Sequence, residues 1–197
     1  MFTFIFATLL AASPYLPQDG DIIFHTSLSS QSQAIQIATQ SPYSHVGIVY
    51  LQEGKAYVYE AIRTVSLTPL KQWVARGKDK AFMVMRLKQE LGHYQKKKLR
   101  AAGHRYKALA YDLKFEWSNS KMYCSELVWK IYNDIGIGLT PTRPMKDYHF
   151  DHPKVQKKLQ ERWGKSIHWE EPIVAPCDLA KSSLLRKVYD SRKPGPT

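Results

Sequence analysis

The stretch Lys121-Met122-Tyr123-Cys124-Ser125-Glu126-Leu127-Val128-Trp129 decides how the chain is read. A polar loop, Trp117-Ser118-Asn119-Ser120, leads into it. From Cys124 onward Leu127, Val128, Ile131 and Ile135 fall at helical spacing until Gly136 or Gly138 ends the run. Cys124 therefore opens an amphipathic helix. The unpaired N–H groups and the macrodipole of a helix start favour negative charge, so the setting suits a thiolate, the nucleophilic form of cysteine. A free cysteine is also a common small buried residue, and position alone does not choose between the two readings.

A partner for the thiol comes from earlier in the chain. Tyr43-Ser44-His45-Val46-Gly47-Ile48-Val49 reads as a strand over residues 45–51, and Tyr57-Val58-Tyr59-Glu60-Ala61-Ile62 as the returning strand over 56–62. If Gln52-Glu53-Gly54-Lys55 is the turn, Leu51 faces Ala56 and Gly47 faces Glu60. His45 then shares a sheet face with Glu60, a diagonal neighbour about 7–8 Å away at Cα. A neutral imidazole there can act as base and then acid, and a carboxylate can orient it. A one-residue slip would break the arrangement. The plain alternatives are a surface histidine, one of seven in the chain, and an exposed strand glutamate.

The other elements are mixed rather than alternating. Gln18-Asp19-Gly20-Asp21 is a turn into a strand at 22–24, and Ser29-Ser30 precedes a helix over 31–39. Thr68-Pro69 starts a short helix that Gly77 ends, and residues 82–87 form a strand. Basic residues crowd a helix over 94–107, a surface helix is expected over 153–163, and 169–175 is a last strand or extended segment. No internal repeat or linker divides the chain. This pattern predicts one α+β domain over residues 14–192, with a mostly antiparallel sheet packed against helices.

Composition narrows the function classes. The chain has 197 residues, 44% of them hydrophobic, enough for a sizeable core. Its net charge of +12 favours anionic surroundings, peripheral contact with an anionic membrane among them. The charges are spread along the chain, and no array of aromatic and basic residues suggests nucleic-acid binding. His104, His149, His152 and His168 are scattered without the spacing of a metal site, and the glycines form no phosphate loop. No cofactor is expected. The apolar run at residues 1–12, broken by Ser13-Pro14, reads as an export signal over 1–13, which predicts a periplasmic protein. Residues 193–197, Lys-Pro-Gly-Pro-Thr, read as an unstructured tail. Cys177 is the second of two cysteines, and in an exported protein a disulfide with Cys124 is an open alternative.

The segments Gly20-Asp21-Ile22-Ile23-Phe24, Tyr43-Ser44-His45-Val46-Gly47, Tyr59-Glu60-Ala61 and Tyr123-Cys124-Ser125-Glu126-Leu127-Val128-Trp129 together resemble the YiiX/YebB-like proteins, circularly permuted NlpC/P60 enzymes of the papain-like superfamily. The likeness runs from about Gly20 to Trp169 and includes Pro69-Leu70-Lys71-Gln72-Trp73. It implies a Cys124–His45–Glu60 site, and permutation accounts for the histidine preceding the cysteine. Tyr111-Asp112 is similar to a Tyr-Asp pair of that family, where it follows Gly-x-Pro; here Lys107-Ala108-Leu109-Ala110 precedes it. The resemblance makes Tyr111, and with it Tyr43, candidates to meet substrate or oxyanion. The implied activity is amide or ester hydrolysis or acyl transfer. The leading expectation is a thiol hydrolase acting on a peptide-like amide, of peptidoglycan type or other cell-envelope material. Beside it stand a lipid acyl hydrolase or acyltransferase at an anionic membrane and a non-enzymatic basic binding protein.

Overall fold

The structure, a computed structural model, describes residues 14–164 and 166–192. The segments read as export signal and tail lie outside the described residues.

A six-stranded antiparallel sheet forms the frame, in the order β10-β5-β1-β2-β3-β4. Its strands are β1 (Ile22–Ser27), β2 (His45–Gln52), β3 (Lys55–Ala61), β4 (Val65–Pro69), β5 (Gly77–Leu87) and β10 (Leu185–Asp190). Between them lie α1 (Ser32–Thr39), α2 (Leu70–Ala75), α3 (His93–Arg105), α4 (Cys124–Asn133), α5 (Pro153–Trp163) and α6 (Pro176–Ala180). Short pairs β6 (Ala110–Tyr111) with β7 (Lys121–Met122) and β8 (Arg143–Pro144) with β9 (Pro172–Ile173) tie down the loops.

Both faces of the sheet are covered, which explains the unbroken apolar run Ile22-Ile23-Phe24 in the central strand. On one face Ile22, Phe24, Val46 and Ile48 pack against Leu99 of α3 and Leu127, Val128 and Ile131 of α4. On the other, Ile23, Val49, Val58 and Val84 surround the fully buried Trp73 of α2. A smaller cluster joins α1 to α5 through Ala34, Ala38, Val155, Leu159 and Trp163.

Two strands of this sheet go beyond those expected from the sequence. β4 carries Ser66 and Thr68, and β10 is an edge strand bearing exposed Arg186 and Lys187, charges that discourage pairing with another chain. β5 begins at Gly77, five residues before the apolar run, because its polar start Lys78-Asp79-Lys80 is exposed. The segment expected over 169–175 forms only the two-residue β9.

Candidate active site

Cys124 is the first residue of α4, entered from an extended Tyr123 (φ −97°, ψ 165°). Three hydrogen bonds hold this junction. The Tyr123 N–H donates to Glu126 Oε2 at 3.3 Å, the Val174 N–H donates to Tyr123 Oη at 3.2 Å, and Ser125 Oγ donates to the Val174 carbonyl at 2.8 Å. Glu126 is buried and ion-paired to Lys130 at 2.7 Å. With Leu127, Val128 and Ile131 locked into the sheet, the helix start is held against the beginning of β2.

His45 stands at that beginning. The hairpin has the expected register, with Leu51 opposite Ala56. The turn itself is tighter than expected, because Gln52 pairs with Lys55 and only Glu53 and Gly54 remain, both at positive φ. His45 Nε2 lies 2.6 Å from Glu60 Oε2. The other Glu60 oxygen accepts from Thr68 Oγ1 at 2.5 Å and from the Arg76 guanidinium. Glu60 is fully buried, and four polar side chains thus meet where the sequence shows only an odd acid in an aromatic strand. Gly47 sits behind them, and a Cβ there would come within 2.4 Å of Val58 Cγ1 and 2.9 Å of the Tyr59 carbonyl.

With Nε2 turned to Glu60, Nδ1 of the imidazole is left for Cys124, whose thiol acts on the ring as its nearest acid. Burial opposes both charges of this pair, but the partners outweigh it. Against burial, the Cys124 hydrogen bond and charge, followed by those of Glu60, raise the His45 pKa to about 9. Burial likewise works against the thiolate, yet the His45 hydrogen bond and charge, then the Val46 N–H and Ser125, hold the Cys124 pKa below its ordinary value. Against its own burial, Glu60 is brought down to about 2 by His45, Thr68 and Arg76. Both shifts favour the thiolate–imidazolium form of the pair, the reactive form of such a site.

Of the tyrosines, Tyr111 reaches the site. Gln31 Nε2 donates to its Oη at 3.1 Å, and burial, then the charge of Cys124, raises its pKa, so it remains a phenol with its own proton to give. Tyr43 does not reach it. Its ring packs on Phe24, and its hydroxyl donates to Met83 Sδ at 2.9 Å and accepts from Arg192. Cys177 and Cys124 are separate free thiols. Cys177 lies beside the Thr39 carbonyl and Asp178, and burial followed by the Asp178 charge pushes its pKa up to about 11.

Several residues of the site have no sequence signature. His25 faces His45 directly across the β1–β2 ladder, with ring centroids 5.2 Å apart, and stacks on Trp73 at 3.8 Å. Burial, then the His45 charge, lowers its pKa to about 2, so it stays neutral. Thr68 and Arg76 belong to β4 and the end of α2; Gln31 and Arg162 come from α1 and α5. Only the His25–His45 pairing is reachable from sequence, by extending the antiparallel register to β1.

Two cavities adjoin the site, one at Cys124 and one at His45. One, of about 90 Å³, runs between α1 and α5 and is lined by Cys124, Ala34, Ala38, Leu159, Trp163 and Val174 among others. Its size is several times the ~10–15 Å³ that one water requires. The other is an open cleft of about 480 Å³ on the His45 side, with Arg76, Arg162, Gln31 and Ser44 in its wall.

A helix-opening cysteine whose histidine comes earlier in the chain, on the sheet, is the layout of a papain-like enzyme with permuted topology. The chain belongs to the family described as permuted papain-like amidase enzyme, YaeF/YiiX, C92 family, whose model matches residues 16–189. It is thus a cysteine amidase of papain-like type. It is 44% identical over 173 residues to the YiiX protein of Escherichia coli strain K12, covering 86% of each chain. It is also similar to the crystal structure of the metalloprotein YiiX from Escherichia coli O157:H7, with a TM-score of 0.87 and 43% identity over 89% of this chain and 98% of that one.

Proposed function

We propose that Cys124, His45 and Glu60 form the catalytic triad and that the protein hydrolyses amides whose acyl portion is apolar. The Cys124 thiolate attacks the carbonyl carbon and forms the C–S bond. The developing oxyanion can accept from the Cys124 N–H at the helix start and from the Tyr111 hydroxyl. His45, as imidazolium, gives its proton to the leaving nitrogen as the C–N bond breaks, and the amine departs. The neutral imidazole then takes a proton from water, which attacks the thioester; the acid leaves, and thiolate and imidazolium are restored. Glu60 holds the ring in register and stabilises its charge.

The observation that carries the substrate reading is the apolar cavity opening on Cys124. A polar muropeptide stem would lose hydration there without gaining partners, whereas an aliphatic acyl chain gains burial worth about 0.8 kcal/mol per CH₂. Three exposed side chains at the cleft mouth, Leu28, Ile62 and Leu113, together with the +12 charge, favour encounter with an anionic lipid surface.

The YiiX relative from Escherichia coli O157:H7 is a metalloprotein. Among the described residues here, no three His, Cys, Asp or Glu side chains are grouped to hold an ion. The deciding experiment compares kcat/KM on N-acyl amides of two to twelve carbons with kcat/KM on muropeptides. Rising rates with chain length support the proposal; preference for muropeptides, or retention of activity in Cys124→Ala, overturns it.

A further inference from the structure

Arg162 links the two cavities. It belongs to the last turn of α5, it is half-buried, and it lines both the apolar pocket and the cleft on the His45 side. Its guanidinium donates to Gln31 Oε1 and lies over the Phe115 ring, 5.1 Å from the centroid. Gln31 in turn donates to Tyr111, so one side-chain chain runs Arg162–Gln31–Tyr111 across the mouth of the site, joining α5, α1 and β6. None of the ion pairs among the described residues includes Arg162, while the neighbouring Lys158 of the same helix is paired to Glu161 at 2.5 Å. The cleft wall contains a second guanidinium, Arg76, and no aspartate or glutamate among the described residues. Arg76 is committed to Glu60; Arg162 is not committed to any carboxylate. A half-buried guanidinium is costly without a counter-charge, and its planar fork matches carboxylate and phosphate oxygens.

We propose that Arg162, held by Gln31, is the reader of an anionic group on the leaving portion of the substrate, a carboxylate or a phosphate close to the scissile amide. The inference rests on the amidase reading above and deepens it. The acyl chain occupies the apolar pocket, the carbonyl lies at Cys124, and the amine side, which His45 protonates, extends into the acid-free cleft where Arg162 meets its charge. The substrate class is then an N-acylated amine bearing an anion, and the neutral analogue is discriminated against because it leaves the guanidinium without its partner.

Two matched pairs of substrates test this: N-octanoylglycine against N-octanoylglycinamide, and N-octanoyl-O-phosphoethanolamine against N-octanoylethanolamine. The wild type should favour the anionic member of at least one pair by about tenfold or more in kcat/KM, and the pair with the larger ratio tells carboxylate from phosphate. Arg162→Gln should bring that ratio close to one, and Arg162→Lys, which keeps the charge without the fork, should retain part of it. A wild-type ratio near one in both pairs overturns the proposal, as does a ratio unchanged in Arg162→Gln. Binding of the two anionic probes to Cys124→Ser, followed by calorimetry, separates this failure from failure of the amidase reading. If nothing is hydrolysed but an anionic probe binds, and binds at least tenfold more weakly once Arg162→Gln is added, the anion site stands. No binding of either probe, or binding indifferent to Arg162, removes it.

Discussion

His45 Nε2 and Glu60 Oε2 are 2.6 Å apart, with the glutamate fully buried and its second oxygen shared by Thr68 and Arg76. The carboxylate is therefore already oriented before any substrate arrives, and the imidazole turns its other nitrogen to Cys124. Glu60→Gln keeps the shape and removes the charge. We expect kcat/KM to fall by about 10²–10⁴-fold, as for the orienting acid of other triads. The alkaline limit of activity should move to lower pH as His45 loses a stabilising anion. A variant with wild-type kcat/KM and pH profile would remove Glu60 from the triad.

The ion pair sets a pH window. The thiolate is present above the lowered Cys124 pKa and the imidazolium below about 9, so activity should stay level through neutral pH and decline as pH rises through about 9. Stability follows differently. Glu60, depressed from 4.5 to about 2, contributes stability that is complete above pH 4.5 and lost as pH falls through about 2. His45, raised from 6.5 to about 9, loses its contribution as pH climbs between those values, while Cys124, depressed from 9.0, gains as pH rises from its lowered pKa toward 9.0. The two act in opposite directions, and chemical denaturation from pH 6.5 to 9 should show a smaller loss than the His45 shift alone would give. The kcat/KM profile and denaturation midpoints measure both.

The two thiols should separate by reactivity. At pH 7 iodoacetamide should label Cys124 much faster than Cys177, whose pKa is pushed up to about 11. Peptide mapping after brief labelling reads the ratio; equal labelling, or a Cys124–Cys177 disulfide in the intact mass, would contradict the free thiolate.

Gly47→Ala should damage both stability and activity. The added methyl would sit 2.4 Å from Val58 Cγ1, forcing β2 and β3 apart just behind His45 and Glu60. Overpacking of this kind costs about 1–3 kcal/mol. Val58→Ala in the same chain should recover part of the loss, because the side-chain clash goes while the 2.9 Å approach to the Tyr59 carbonyl remains. Thermal melts of the single and double variants check the sign.

Filling the apolar cavity should cut selectively. Ala34→Leu adds bulk to a wall that α1 and α5 share, so rates on long-chain N-acyl amides should fall at least several-fold more than rates on acetyl amides. An equal fall on all chain lengths would mean general damage rather than an acyl subsite.

Much of the frame was legible in the chain because it depends on local rules. The α5 span follows from Pro153 at its start and Gly164 at its end, and the hairpin register follows from taking Gln52–Lys55 as the turn, although Gln52 and Lys55 themselves pair and the turn proper is Glu53-Gly54. Counting back from that turn put Glu60 on the His45 face. β4 and β10 were not legible, since the Val-Ser-Leu-Thr alternation of β4 is very short and the exposed Arg186 and Lys187 mask β10, which pairs with the distant β5. Tyr43 illustrates the limit from the other side. It is two residues from His45, yet it lies before β2 begins, and its contacts with Phe24 and Met83 carry it away from the site.

What the sequence by itself determined is the set of local placements: a cysteine opening a helix, a histidine opening a strand, a glutamate in register with it across a short turn. These follow from backbone periodicity, capping and turn chemistry, which act within a few residues. The tertiary structure alone decided what surrounds them. Thr68 and Arg76 on Glu60, His25 stacked on Trp73 behind His45, and the Arg162–Gln31–Tyr111 chain across the mouth join residues as far apart as Gln31 and Arg162. Such contacts arise when α2 packs on one face of the sheet and α1, α4 and α5 assemble on the other. Packing energy depends on shape and burial across the whole core, and a local pattern carries no record of it.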